Sequence, residues 1–510
     1  MTRPVNRRMI TLFVMLATIM QTLDSTIANV ALPHMQGALS ASQDQVAWVL
    51  TAYIVAAAIA TPLTGWLVDR FGQKNVLMAS IIGFTVASAL CGMSNSLAEI
   101  VGARLLQGIF GAALVPMSQM IVLDINPPER QGPAMAVWSL GVMVGPILGP
   151  TLGGWLTDSY DWRWVFFINI PLGALAAYGI GRHFHPGLAA RRTSFDAFGF
   201  VTLSLAVGAL QLLLDRGEQN DWFSSAESWT ELVVLIVAIT YFIAHTALSP
   251  AGKSFLDYRL LRNRNYVTGL LFIFIMGLVM YGSRALTPTM LESLLDYPVA
   301  TTGMVTAPAG LGTMTAILIA GRLIGRVDLR LILLAGFSTT CVALWQMTGY
   351  SLDLSRSDII WPGVVQGLGL GLVSVPLSAA AFVTLNPAMR AQGTAIFSLM
   401  RNLGSSVGIS LAQVALVRSS VRTHAALIER ITTGNPAWNN PAVAAAYDLS
   451  RPSGAAALDA LISQQSAMIA YIEDFRMMLY LTLAVIPLVL LIRTPRRAAQ
   501  VPEGTLAVID

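Results

Sequence analysis

The sequence predicts an all-α polytopic membrane protein: two six-helix bundles with two further helices inserted between them. Three observations predict it. The chain is 55% hydrophobic and only 11% charged, where soluble domains carry about 25% charged residues. Apolar runs long enough to cross a bilayer, about 20 residues each, recur fourteen times. The stretch Gly111-Ala-Ala-Leu-Val-Pro116-Met-Ser118 returns as Gly371-Leu-Val-Ser-Val-Pro376-Leu-Ser378, and Asn126-Pro127 with Arg130 returns as Asn386-Pro387 with Arg390. Both copies lie at the end of a span and in the loop after it, so the repeat is parallel. Paired halves of this kind place a substrate site between them near the midplane.

Six spans come first, at about 9–32, 46–68, 76–97, 100–123, 133–156 and 164–182. Two follow at about 198–215 and 230–248. Six more lie at about 266–290, 302–324, 331–349, 359–384, 393–417 and 476–493, of which 331–349 is short for its task. The expected units are therefore residues 1–185, an inserted pair within 186–262, and 263–510. The basic start, Met1 to Arg8, precedes a run long enough to span and lacking a small-residue cleavage signal, so it reads as a retained first helix. With that end inside, Arg and Lys crowd the inner segments (Arg70, Lys74, Arg130, Arg182, Arg191, Arg192, Lys253, Arg322, Arg326, Arg330, Arg493, Arg496 and Arg497 among them). The short outer loops hold only Arg163, Arg216 and Arg356. Both termini are then cytoplasmic. One outer connection, 418–475, is long; it holds Asn435-Pro436-Ala437-Trp438-Asn439-Asn440-Pro441 and then an Ala-rich stretch, with room for short helices outside the bilayer.

Several classes are excluded. The net charge of +4 is spread between spans rather than gathered in a patch, which argues against nucleic-acid binding. Cys91 and Cys341 sit inside apolar runs and suggest neither disulfide nor metal. No nucleophile triad, His/Cys cluster or phosphate loop is present, so neither an enzyme nor a bound cofactor is expected.

The chemistry lies in polar residues that a bilayer makes expensive. Asp24 sits inside Leu23-Asp24-Ser25-Thr26-Ile27-Ala28-Asn29-Val30-Ala31-Leu32-Pro33. A carboxylate at that depth costs about 2.5–3.5 kcal/mol on insertion scales and is usually there for a pathway or a proton. On span four, Arg104, Gln107, Gly108 and Gly111 recur at helical spacing and give one polar, small face. Arg104 needs partners: Asp24, backbone carbonyls of span one, or both. On span five, Gly141, Gly145, Gly149 and Gly153 are four apart, a smooth face for close packing, with Pro146 and Pro150 inside it. Between spans two and three, Gly65-Trp-Leu-Val-Asp69-Arg70-Phe71-Gly72-Gln73-Lys74 makes a glycine-bounded turn, with Arg70 and Lys74 free to pair with acids across the gap. A weaker echo, Gly321-Arg322-Leu-Ile-Gly325-Arg326-Val-Asp328, occupies the matching loop of the second half. Polar residues set in or beside the spans are candidate substrate contacts: Gln21, Asn29, Gln107, Arg284, Gln366, Arg401 and Asn402. Glu292, near the outer rim, is a second proton candidate after Asp24 and Arg104.

These motifs resemble those of the major facilitator superfamily. The loop at 65–74 resembles its signature and implies a latch, carried by Gly65, Asp69, Arg70 and Gly72, that holds the outward-open state. The span-five stretch resembles the motif that marks the antiporters of the superfamily, and implies a seal against leak. Residues 23–33 and Trp162-Arg163-Trp164-Val165-Phe166-Phe167-Ile168-Asn169-Ile170-Pro171 are similar to the fourteen-helix drug:proton antiporters. Leu214-Asp215-Arg216-Gly217 with Asp221-Trp222-Phe223-Ser224-Ser225 is similar to their EmrB-type branch. The resemblance implies proton-coupled multidrug efflux across the inner membrane of a bacterium, with an EmrA-type periplasmic adaptor and a TolC-type outer-membrane channel as partners. A narrow-substrate exporter or a symporter on the same fold is the alternative, and the span-five motif argues against symport. No counterpart of Arg284 is evident in the family pattern; it could pair with Glu292, meet an anionic substrate or reach toward the outer interface.

Overall fold

A computed structural model describes residues 6–184, 194–250, 254–431, 447 and 450–492. Arg191, Arg192, Lys253, Arg493, Arg496, Arg497 and the Asn435–Pro441 stretch lie outside these residues. The regular structure is helical, and no strand forms among the described residues.

The first half comprises α1 (Arg7–Ala38), α2 (Gln43–Ala60), α3 (Leu63–Phe71), α4 (Gln73–Met93), α5 (Leu97–Gly111), α6 (Leu114–Ile125), α7 (Pro128–Ser159), α8 (Trp164–Phe167) and α9 (Asn169–His183). Then come α10 (Ala197–Arg216) and α11 (Ala226–Leu248). The second half holds α12 (Arg259–Arg262), α13 (Arg264–Ser293), α14 (Val299–Thr306), α15 (Pro308–Leu323), α16 (Leu329–Met347), α17 (Arg356–Phe382), α18 (Arg390–Glu429) and α19 (Pro452–Val485).

Twelve helices among the described residues are long and apolar enough to cross a membrane, the short one at Leu329–Met347 included. The expected straight span at 46–68 is instead two helices meeting at 56°, a thirteenth if counted as one. The break falls at Thr61-Pro62, where Pro62 has no N–H to continue the ladder. The stretch expected at 393–417 lies within α18, which is less apolar because Arg401, Asn402, Ser405 and Ser406 interrupt it. At its far end α18 continues to Glu429, and α19 starts at Pro452. Much of the expected outer loop 418–475 is therefore helix that prolongs two spans. Ala455, Ala456, Ala457 and Ala460 favour this, and His424 meets Asp459 at 3.2 Å across the two extensions.

The repeat seen in sequence governs the packing. In the first half α1 packs on α7 and α9, α2 on α5, and α4 on α5 and α9. In the second, α13 packs on α18 and α19, α15 on α17, and α16 on α17 and α19. Each pairing has its counterpart, as a parallel duplication requires. The inserted α10 rests on α2 and reaches α18, where Gln211 and Ser406 exchange hydrogen bonds at 3.0 and 3.1 Å. Its partner α11 is mostly uncovered and packs chiefly on α10.

Candidate functional site

Asp24 is fully buried on α1, and three side chains donate to its carboxylate. Arg104 Nη1 of α5 reaches Asp24 Oδ2 at 2.7 Å. Gln107 Nε2 and Asn169 Nδ2 both reach Oδ1 at 2.8 Å. Ser88 Oγ accepts from the same two amides, at 3.0 and 2.8 Å, and donates to the Phe166 carbonyl. Arg104 also donates through Nε to the Val49 carbonyl at 3.0 Å and through Nη1 to Gln107 Oε1 at 2.7 Å. The Tyr53 ring stacks 4.2 Å from its guanidinium carbon. The expected carbonyl contact is thus made on α2, not on α1. A buried pair survives only when its remaining donors and acceptors are filled, and here α2, α5 and α9 fill them.

Two residues further along α1, Thr26 points the other way. Its hydroxyl donates to the Gly145 carbonyl of α7 at 3.1 Å. Gly145 and Gly149 lie so close to Thr22 and Thr26 that a Cβ on either would overlap α1, and a Cβ at Gly153 or Gly141 would stand 3.0 or 3.2 Å from Ile27 and Met15. The glycine period of α7 is therefore the seam against α1. The helix runs unbroken through Pro146 and Pro150, which turn toward the opposite half.

There they help wall a cavity of about 320 Å³ between the halves, with Thr26, Ile147, Tyr281, Arg284 and Gln366. Arg284 is the sole charged residue of this lining. Its Nη2 donates to Thr313 Oγ1 at 3.1 Å, while Nε is buried with no partner. Gln366 Nε2 donates to Ser283 Oγ at 2.7 Å. A smaller void of about 40 Å³ lies next to it, toward the N-terminal face, lined by Gln119, Trp138, Phe397 and Arg401. Met143 and Tyr281 belong to the walls of both.

At the face where the chain starts, the halves close on each other. Gly72 turns the chain at φ +81°, a left-handed conformation suited to glycine. A Cβ at Gly65 would stand 2.9 Å from Gln392 Cα of α18, and one at Gly321 would press on Ala136 of α7. Each copy of the loop motif thus docks on the opposite half. Asp69 is half-buried, whereas Arg70 is exposed and Lys74 donates to the Gly181 carbonyl at 2.9 Å. Across the gap Arg390 Nη1 pairs with Asp124 Oδ1 at 2.8 Å, with Gln73 donating to Asp124 Oδ2 at 3.0 Å.

The sequence-expected contacts thus divide. Arg284 and Gln366 line the main cavity, and Arg401 lines the deeper void. Gln107 belongs to the Asp24 cluster. Gln21 donates to the Tyr53 hydroxyl at 2.9 Å. Asn29, Asn402 and Glu292 are exposed and line neither cavity, and Arg284 does not pair with Glu292. Ser88, Tyr53 and Asn169 escaped the sequence reasoning. Asn169 alone carried a signal, as an amide inside the apolar run 164–182. Asp474, buried on α19 with Oδ2 accepting nothing, was hidden in the supposed loop.

Two duplicated helical bundles around a shared interfacial cavity define a multi-pass membrane carrier. A family model described as Major Facilitator Superfamily matches residues 14–409, and the chain belongs to that superfamily. The fatty acid resistance protein FarB of Neisseria gonorrhoeae is 33% identical over 490 residues, 95% of this chain and 96% of that one. The multidrug export protein EmrB of Escherichia coli K12 is 35% identical over 428 residues, 84% and 83% of the two chains. The crystal structure of the human organic anion transporter MFSD10 (TETRAN) superposes with a TM-score of 0.60 at 16% identity, covering 94% of this chain and 100% of that one; this likeness concerns the fold alone.

Proposed function

We propose that the chain is a proton-coupled multidrug exporter of the bacterial inner membrane, with both termini cytoplasmic, and that it works by alternating access. The names of the EmrB relatives support the export of drugs. The observation that carries the coupling is the position of α1: its Asp24 face holds a buried ion pair, and its Thr26 face lines the cavity through the α7 seam.

Protonation of Asp24 removes one charge of the pair and leaves Arg104 buried without a counter-ion. That state is unfavourable in the arrangement described above, so proton uptake drives α1, α2, α5 and α9 to repack. Because α1 touches α7 backbone to backbone, the repacking moves a cavity wall. The structure described is closed at the N-terminal face by the Gly65 and Gly321 contacts and by Arg390–Asp124. It corresponds to the outward-facing state, and the protonated form is the inward-facing one. Fourteen spans follow if the bent α2–α3 pair and α18 each cross. The helical extensions of α18 and α19 stand where an EmrA-type adaptor, and through it a TolC-type channel, would meet the transporter.

The test is efflux from proteoliposomes under an imposed pH gradient for the natural chain and Asp24→Asn. The variant should lose gradient-driven export while still exchanging bound drug. Full gradient-driven export by Asp24→Asn would remove Asp24 from the proton path.

A further inference from the structure

We propose that Asp474 is a second proton-binding residue, neutral while α19 lies packed on α13 and ionised when the two part, so that it opposes Asp24 in the choice between states. This rests on the exporter reading above and adds a step to it.

Asp474 lies two residues before the apolar run expected at 476–493. With Tyr471, Phe475 and Met478 it forms one buried face of α19 at helical spacing. Those three neighbours belong to an apolar cluster with Met290 and Leu291 of α13 and Leu344 and Met347 of α16. Asp474 itself is 1% exposed, and its Oδ2 accepts nothing. A charge placed there would have neither water nor a counter-ion, the costly case for a carboxylate. The neutral acid suits this packing and the ionised one does not.

Nothing around it supplies the missing charge. No basic side chain pairs with Asp474 among the described residues. Glu292 of α13, Arg418 and Arg422 of α18, and Arg476 of α19 itself are exposed. Glu473 is exposed and accepts from Ser419, and His424 is held by Asp459. The α16 helix carries no ionisable group after Cys341, and Asp358 of α17 is exposed and caps Ser355. Tyr350, whose ring meets Phe475 at 5.7 Å, keeps its own hydroxyl buried and unpartnered. Asp24 is the contrast, with three donors on its carboxylate.

The position gives the acid both a route and a consequence. A cleft of about 310 Å³ opens between the ends of α13, α18 and α19, lined by Ser293, Ser420, Ala467 and Tyr471 among others. It stops at Tyr471, one helical turn from Asp474, so a small parting of α19 admits water. The proton then leaves a carboxylate oxygen for that water and returns the same way; only an O–H bond breaks or forms. Val305, Met347 and Ile359 belong both to the apolar cluster and to the wall of the main cavity, so a charge on Asp474 disturbs that wall. Protonation of Asp24 works against the state closed at the N-terminal face, and protonation of Asp474 works for it. The occupancy of that state therefore rises with pH as Asp24 ionises and falls again as Asp474 does.

The full chain in proteoliposomes tests this without a drug, with Thr151→Cys in the cavity wall as the reporter. Cys91 and Cys341 are buried and stay unlabelled. An impermeant maleimide is applied from the face opposite the N-terminus at about pH 5 to 9. Each rate is divided by that of the unfolded chain, which cancels the titration of the thiol itself. Labelling of this parent should rise and then fall with pH. Asp474→Asn should keep the rise and lose the fall, ending about fivefold or more above the parent at the alkaline limit. Asp474→Glu, which can still ionise, should restore the fall, and detergent chromatography should show both folded. If Asp474→Asn does not fold, Asp474→Leu, apolar among apolar neighbours, carries the same expectation. A parent profile that only rises, or a fall that survives in the neutral variants, overturns the inference and leaves Asp24 as the switch. Labelling of the parent that ignores pH overturns the inference and the proton coupling of the exporter reading together.

Discussion

Arg104 and Arg284 lie in opposite halves, and their surroundings are opposite too. Arg104 has an aspartate, a glutamine oxygen, a backbone carbonyl and an aromatic face. Arg284 has one hydroxyl. The first is complete without a ligand, and in the proposed mechanism a proton is what changes it. The second keeps a buried Nε with no acceptor. Duplication produced two similar bundles, and these two cations differ in how fully the protein satisfies them.

The largest expected effect tests the first side of that contrast. Asp24→Ala should cost about 3–5 kcal/mol, because it strands a buried cation among partners arranged for a pair. Arg284→Gln should cost less than about 1 kcal/mol, since a single hydrogen bond is lost. Thermal unfolding in detergent measures both. Equal losses would break the comparison, since Arg284 would then be as much a structural element as Arg104.

The extent to which this was legible beforehand has a physical basis. A bilayer admits only long apolar helices, so the expected spans fall on helices and the repeat shows in both sequence and packing. The Asp24–Arg104 pair was legible because each residue is costly alone. Its completion by Ser88 and Asn169 was not, because a small polar side chain in an apolar run does not announce its partner. Gln107 was expected to face substrate: helical spacing tells which residues share a face, not which neighbour covers it. In the helical stretches up to Glu429 and from Pro452 the apolar signature ends while the helix continues.

If the two regions communicate, they do so through the α1–α7 seam. A Cβ at Gly145 would meet the backbone of Thr22, which cannot swing aside as a side chain could. Gly145→Ala should therefore destabilise by about 1–3 kcal/mol and uncouple proton flux from export. Gly154→Ala, on the same helix, is the control, because a Cβ there would come no closer than 4.0 Å to Val30. Unchanged coupling in Gly145→Ala would mean that the switch and the cavity act independently.

A smaller effect concerns the base of the inserted pair. Burial opposes the ionisation of Asp196, but the N–H groups of Gly199 and Phe255, at 2.9 and 2.8 Å, and the His245 ring outweigh it and hold its carboxyl below the usual carboxylate range. A depressed folded pKa means that the contribution is complete above the unfolded value of about 3.9 and fades as pH falls through the folded one. Asp196→Asn should lower the melting temperature at pH 7, and the difference should shrink as pH falls through and below the usual carboxylate range. The same residue ties α10 to the segment that meets Gln392 of α18, through the hydrogen bond from Gln392 to the Phe255 carbonyl at 2.6 Å. A loss of stability that persisted at low pH would show that packing, not charge, seats the pair.

The smallest effect decides which solvent Arg284 sees. Arg390 and Asp124 join the halves at the N-terminal face and are partly exposed, so the pair contributes about 0.2–1 kcal/mol. Near a balanced equilibrium, about 1 kcal/mol shifts the ratio of states about fivefold. Cys91 and Cys341 are both buried, so a cysteine placed at Thr151, in the cavity wall, reports access cleanly. In Arg390→Gln its labelling from the face opposite the N-terminus should fall by up to about fivefold, and labelling from the N-terminal face should rise. Asp124→Asn should act in the same direction, because it removes the same contact from the other half. Unaltered labelling in both would assign the closure to the glycine contacts at Gly65 and Gly321 alone, and Arg284 would face the same side with or without the ion pair.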